Sequence, residues 1–335
     1  MGLRIARFSG LDPMSIINEG LARHPDVDEV VNKWHGKKLT DIDEFDIIIG
    51  GGQMAQAPGG ADYGPESLES QFLEKLASSG KWVIWDQRPT TEIWSWALEN
   101  TLVYFKKCWK EPKLPKGVHL LTWPVLDLCS EIPADIYEKS KGRDIDIGYY
   151  FGWSRIDGLT NTRKKLGKAI LEFKWSKDIF IETCYTLGKA YQGYQFYSLE
   201  PVINRGINWW LVYMHFLRRT KILFACAGFS KLFQGDRRTA EALSSGALIF
   251  ADEPAVQMPH PFIHGEHLFF FDSNDNDSTK EALTLANSYL AKEKQGEREA
   301  IARAGLEHAL KYHRADNYID YMVEAIKRAL KHSNT

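Results

Sequence analysis

Through the first half of the chain, short apolar runs alternate with segments whose apolar residues recur at three- and four-residue spacing. LRIARF (3–8), DEVVNKW (28–34), FDIIIGGG (45–52) and KWVIWDQRP (81–89) read as strands, the last one stopped by Pro89. TLVYFKKCW (101–109) and VHLLTWP (118–124) follow as shorter strands. MSIINEGLARH (14–24) and PESLESQFLEKLASSG (65–80), the second closed by Gly80, read as amphipathic helices. Strands that are apolar almost throughout are covered on both faces. Their alternation with helices predicts βαβ units and a parallel sheet.

The period lapses over DLCSEIPADIYEKSKGR (127–143), the best linker in the chain, and resumes at DIDIGYYFGWSR (144–155). A basic helix, TRKKLGKAILEFKW (162–175), comes next, then FIETCYTLG (180–188), an aromatic helix at 207–217 and the strand KILFACAG (221–228). After HLFFF (267–271), two helices end the chain, 281–313 with an expected break near Gly296, and 315–332. The plan is two α/β domains, 1–138 and 144–313, with 314–335 a terminal helix packing back on the first. In open parallel sheets, ligands bind outside the carboxyl ends of the strands, here in a cleft between the two domains.

Composition adds exclusions. The 335 residues are 44% hydrophobic and 26% charged with net charge −2, which argues against a nucleic-acid-binding surface. Cys108, Cys129, Cys184 and Cys226 have no C-x-x-C spacing, so neither a metal box nor a disulfide framework is expected, and a cytoplasmic setting follows. The near-apolar run INWWLVYMHFL (207–217) is about half the length of a membrane span, so no transmembrane segment is expected. Trp209 and Trp210 with Arg205, Arg218 and Arg219 leave peripheral membrane contact open beside simple core packing.

The most informative stretch is GDRRTAEALSSGALIFADEP (235–254). A helix over Thr239–Ser245 would open beside Arg237 and Arg238, joining free backbone N–H groups to an arginine fork that suits a phosphate. Glu241, one turn in, can accept from a ribose diol. Ala240, Ala242, Ser244 and Ser245 keep the helix thin, and Gly246 supplies its C-cap. Phosphate at one point and ribose a turn away is the footprint of a nucleoside diphosphate; an ordinary helix–strand unit with solvated arginines is the other reading.

This stretch, continued by FIHGEHLFFFD, resembles the C-terminal domain signature of GT-B glycosyltransferases. The resemblance is carried by Arg238, Glu241, Ala242, Leu243, Gly246, Phe262, Gly265, Phe271 and Asp272. The tail REAIARAGLEHALKYHRADNYIDYM (298–322) resembles the closing pattern of the same family, and the arginine three residues before the glutamate is similar to the spore-maturation type. The likeness covers about 220–322. It implies an α/β fold of two Rossmann-like parallel-sheet domains facing a cleft. The N-terminal domain would take a saccharide or glycoconjugate acceptor and the C-terminal domain a nucleotide-sugar donor. It implies a hexosyl- or pentosyltransferase that needs no metal and no cofactor beyond the donor substrate, with Glu241 on the ribose, Arg238 and Arg237 on the diphosphate, and Gly152, Arg155 and Lys231 near the phosphates. A nucleotide-sugar epimerase of the same fold, or a non-catalytic glycan-binding protein, stays open as an alternative. Phe233 stands where the large retaining family carries a second glutamate, so the E-x7-E pair is absent and the stereochemistry is open.

Inverting transfer needs a general base on the acceptor hydroxyl. Asp86, ending a buried strand, is the first candidate, with capping of a helix that starts near Thr90 as the other reading; Asp12 in SGLDP is the second and His35 a distant third. The D-x-D sequences at 26–28 and 144–146 lie in a turn and at a strand start and read as structural. GGGQ (50–53) lacks the dinucleotide fingerprint and begins a cleft-side loop.

Overall fold

The structure, a computed structural model, describes residues 2–8, 20–32, 41–51, 68–86, 92–107, 109, 111, 113–121, 142–150, 159–176, 179–183, 216–226, 237–254 and 259–333. It separates into two compact units, Met1–Thr122 with Ala315–Thr335, and Trp123–Arg314.

In the first unit, β1 (Leu3–Phe8), β2 (Val27–Asn32), β3 (Ile47–Gly51), β4 (Trp82–Asp86), β5 (Val103–Lys106) and β6 (Val118–Leu120) form one parallel sheet in the order β2-β1-β3-β4-β5-β6. Helices α1 (Asp41–Glu44), α2 (Leu68–Ser78) and α3 (Ser95–Asn100) lie between them in sequence. The register sets Ile5 beside Ile47, Ile49 beside Val83 and Ile84 beside Tyr104. Every residue of β4 and β5 is buried, the signature of a sheet covered on both sides. On one face Ala6, Ile48, Trp82 and Ile84 pack with Phe72, Leu73 and Leu76 of α2 and Ala97 of α3. Phe105 and His119, which alternation turns to the other face, meet Tyr321 of the terminal helix α8 (Ala315–Ser333), whose hydroxyl lies 3.0 Å from His119 Nδ1.

Buried Ala315, Tyr318, Ile319, Met322, Val323 and Ile326 recur along α8 at the helical period. Gly20 lets the helix approach: a Cβ there would stand 2.7 Å from Ile319 Cγ1. Lys327 pairs with Asp26 at 2.8 Å at the rim.

The second unit holds a second all-parallel sheet, β11-β10-β9-β7-β8, built from β7 (Ile145–Tyr149), β8 (Ile181–Thr183), β9 (Thr220–Ala225), β10 (Leu248–Asp252) and β11 (Phe269–Phe271). Phe224, Phe250 and Phe269 stand side by side across three strands with ring centroids 5.1 Å apart at each step. Helices α4 (Leu159–Glu172), α5 (Arg237–Leu243), α6 (Asn276–Tyr289) and α7 (Gln295–Tyr312) complete it.

The helix expected from 281 begins earlier, at Asn276, because Asp275 caps it by accepting from the N–H groups of Asp277 and Ser278. Its break falls at Leu290–Lys294, before Gly296, which lies in the first turn of α7. Ala291 is extended there, and side chains fix the corner. The Tyr289 hydroxyl donates to Glu297 (2.6 Å), the Tyr289 carbonyl accepts from Arg298 (2.7 Å), and Lys294 donates to the same Glu297 carboxylate. Burial first, then the hydrogen bond to Glu297, pushes the Tyr289 hydroxyl up to about 12.

The connection from β10 to β11 rests on the carboxyl end of α7 through stacked rings: His260 on Tyr312 (4.1 Å), His267 on His308 (4.2 Å) and Phe262 on His313 (4.7 Å). His308 Nε2 and His313 Nε2 both lie within hydrogen-bond distance of the His260 carbonyl. Burial lowers His313 to about 4 and also lowers His267. An unfolded chain therefore takes up these protons before the folded one does. The stabilisation is complete above the ordinary histidine pKa of about 6.5 and is lost as pH falls from there toward 4. Chemical denaturation at pH 7 and pH 4.5 should show a loss on the order of 3 kcal/mol from His313, and His313→Gln should flatten that dependence.

Candidate active site

The order β11-β10-β9-β7-β8 reverses direction between β7 and β9, and at such a switch point the segments leaving the two strands diverge to opposite faces and open a crevice at their carboxyl ends. Gly152 and Arg155 follow β7 within a few residues, and the segment with Lys231 links β9 to α5. Gly152, Arg155 and Lys231 themselves, like Phe233 and Asp236, lie outside the described residues.

The α5 helix opens two residues earlier than Thr239, so Arg237 and Arg238 form its first turn. The side chains of these two arginines are outside the described set. Ala240, Ala242 and Leu243 are buried, and Glu241 is buried completely. A carboxylate so placed stays only where hydrogen bonds or cations meet it. The helix ends tightly: Ser244 Oγ donates to the Glu241 carbonyl (2.7 Å) and Ser245 Oγ to that of Ala242 (2.6 Å). Gly246 follows at φ +70°, the left-handed conformation that lets the chain turn into β10.

Arg143, which no sequence signal marks, closes this corner. Its guanidinium donates to the carbonyls of Thr220 (2.5 Å), Ser245 (3.0 Å) and Gly246 (2.7 Å), tying the start of β9 to the turn after α5. A Cβ on Gly246 would stand 3.1 Å from Arg143 Nη2.

The first sheet changes direction between β1 and β3. Asp12 belongs to the segment leaving β1, and the GGGQ loop to the one leaving β3; Asp12, His35, Gly52 and Gln53 are outside the described residues. Asp86 ends β4 beside Lys106 in the register, completely buried. Its Oδ2 accepts from Lys106 Nζ at 2.7 Å and from Tyr104 Oη at 2.8 Å. The Asp-Lys pair was legible only as two polar residues ending successive apolar strands. The two D-x-D sequences hold structural partners: Asp26 pairs with Lys327, Asp28 accepts from the Gly2 N–H, Asp144 pairs with Arg219 and Asp146 with Lys221.

Two stability measurements follow. Arg143→Ala should cost about 2–3 kcal/mol by removing charge-assisted bonds to three carbonyls, read as a fall in the urea midpoint. Asp86→Ala should cost about 3–5 kcal/mol, because it takes this carboxylate from a buried ammonium, and Asp86→Leu with Lys106→Met should recover most of it.

A family model described as glycosyl transferase-like matches residues 182–324. A solved glycosyltransferase from Rickettsia africae shares the fold at TM-score 0.58 and 9% identity, over 98% of this chain and 99% of that one. Sucrose-phosphate synthase from Thermosynechococcus elongatus matches at TM-score 0.58 and 9% identity over 98% and 100%. HepE from Anabaena, solved in complex with UDP, matches at 0.56 and 10% over 97% and 100%. None of the curated proteins matches. With two Rossmann-like parallel sheets and these likenesses, the chain has the GT-B fold, and its residues 182–324 match the glycosyl transferase-like family model.

Proposed function

We propose that this protein transfers a hexosyl or pentosyl group from a nucleoside-diphosphate sugar to a saccharide or glycoconjugate acceptor, with no metal ion in the transfer step. The observation that carries the reading is α5: a short buried helix at a switch point, with Arg237 and Arg238 in its first turn and a fully buried Glu241 one turn on. Glycosyl transfer passes through an oxocarbenium-like state while the nucleoside diphosphate departs with its charge. Arg238, Arg237, Arg155 and Lys231 neutralise that leaving group in this reading, beside Gly152, and the Glu241 carboxylate accepts from the ribose hydroxyls. The family match over 182–324 supports glycosyl transfer, and HepE, solved with UDP and with UDP-glucose, supports a uridine-type donor.

The base that takes the acceptor proton is assigned to Asp86 or Asp12. Lys106 and Tyr104 would hold the Asp86 carboxylate in one orientation for that task.

The test is donor binding by calorimetry and release of free nucleotide from a panel of nucleotide sugars. The unmodified chain should bind one donor and release its nucleoside diphosphate in the presence of acceptor. Glu241→Ala and Arg238→Ala should each weaken donor binding roughly tenfold to a hundredfold, the worth of a charge-assisted hydrogen bond. Unchanged affinity in both variants would sink the reading.

A further inference from the structure

Three large apolar side chains are strongly exposed among the described residues, and two of them, Leu171 (53%) and Phe180 (49%), belong to one edge of the second sheet. A crossover helix runs back against its strands, so the carboxyl end of α4 returns to the amino edge of the sheet. Phe180 lies at that edge as well: its N–H donates to Asp146 Oδ2 near the start of β7, and its carbonyl accepts from the N–H groups of Asp146 and Ile147. Beyond α4 the chain turns over Trp175, whose indole N–H donates to the Ile170 carbonyl and whose ring meets Phe173 at 4.8 Å.

The same helix carries a one-sided charge. Lys164, Lys165 and Lys168 on the helix and Lys174 just beyond it are exposed, against one exposed acid among the described residues of this segment, Glu172, which pairs loosely with Lys168 at 3.7 Å. Lys164, Lys168, Leu171 and Trp175 follow one another at helical spacing, so lysines and the apolar tip share one stripe. The neighbouring α6 runs in the same direction, with Thr162 on Asn274 at one end and Ser176 on Asn287 at the other. Its acids Asp277 and Glu281, with the capping Asp275, thus fall in the half away from Leu171. Arg219 and Lys221, both at the start of β9, are matched by Asp144 and Asp146 at the start of β7. No helix among the described residues is long and apolar enough to cross a membrane.

We propose that the amino edge of the second sheet docks on an anionic phospholipid surface, with Leu171 and Phe180 entering the interface and the α4 lysines meeting lipid phosphates. Exposed leucine and phenylalanine beside snorkelling lysines suit that boundary, where the apolar tip and the ammonium need different depths. A freely solvated lysine face has no use for Leu171 at its centre. The carboxyl edge of the sheet, with α5, then faces away from the lipid. This inference does not depend on the reading of the donor site.

The test is co-sedimentation of the full chain with phosphatidylcholine vesicles, with and without phosphatidylglycerol. The chain should pellet with the anionic vesicles only, and added NaCl should release it, a readout that needs no substitution. Each of Lys164→Gln, Lys165→Gln and Lys168→Gln should weaken binding about fivefold, and Leu171→Glu with Phe180→Glu should weaken it at least about tenfold. All these positions are exposed, so melting temperatures should stay close to that of the unmodified chain. Absence of pelleting, pelleting unchanged by the Leu171→Glu and Phe180→Glu pair, or retention on duplex DNA without vesicle binding would overturn the proposal.

Discussion

Parallel pairing governs this molecule. Each strand pairing among the described residues is parallel, in both sheets. A parallel neighbour can be reached only by a crossover, so every connection in a sheet leaves from the same edge and returns to the opposite one. Residues with chemistry are collected accordingly. Asp86 and Lys106 end adjacent strands, and the segments that lead to α5 and away from β7 start at one edge. The amino edges receive the structural ion pairs of Asp144 and Asp146. The division between a working edge and a supporting edge is a result of topology, settled before any individual side chain is chosen.

Much of this plan was legible in the sequence because strands buried on both faces announce themselves as unbroken apolar runs. FDIIIGGG and KWVIWDQRP marked β3 and β4 to within a few residues, and Gly80 and Gly246 marked chain reversals, both with positive φ. Glycine and proline are local signals, and local signals survive in a sequence. The corner between α6 and α7 falls a few residues before Gly296, where Tyr289, Lys294, Glu297 and Arg298 fix it together. Arg143 escaped notice because its acceptors lie 77 to 103 residues away. The Asp86–Lys106 pair needs the register between β4 and β5, which an apolar pattern does not encode.

The interior polar groups share a pattern of use. Arg143, Arg298 and His313 all reach backbone carbonyls at places where a helix or a turn stops. A carbonyl at the end of a helix has lost its partner in the next turn and carries the negative end of the helix dipole. Cationic or N–H donors placed there allow short elements such as α5 to end abruptly inside a packed region, and that permits a buried Glu241 to be held by so brief a helix. Gly305 serves the same economy of space: its missing side chain admits the His267 carbonyl, which a Cβ would meet at 2.2 Å.

The first compact unit is discontinuous, because α8, at the far end of the sequence, completes it. During synthesis the ribosome releases β1 to β6 long before Ala315–Ser333 emerges, and Phe105 waits for Tyr321 while the whole second unit is made. The contacts of Asp26 with Lys327 and of Gly20 with Ile319 span about three hundred residues, a long loop closure across the whole second unit. Until α8 emerges, a nascent chain of this protein keeps the Phe105 face of its first sheet uncovered, so that exposure of an apolar face during translation is a property of the topology itself.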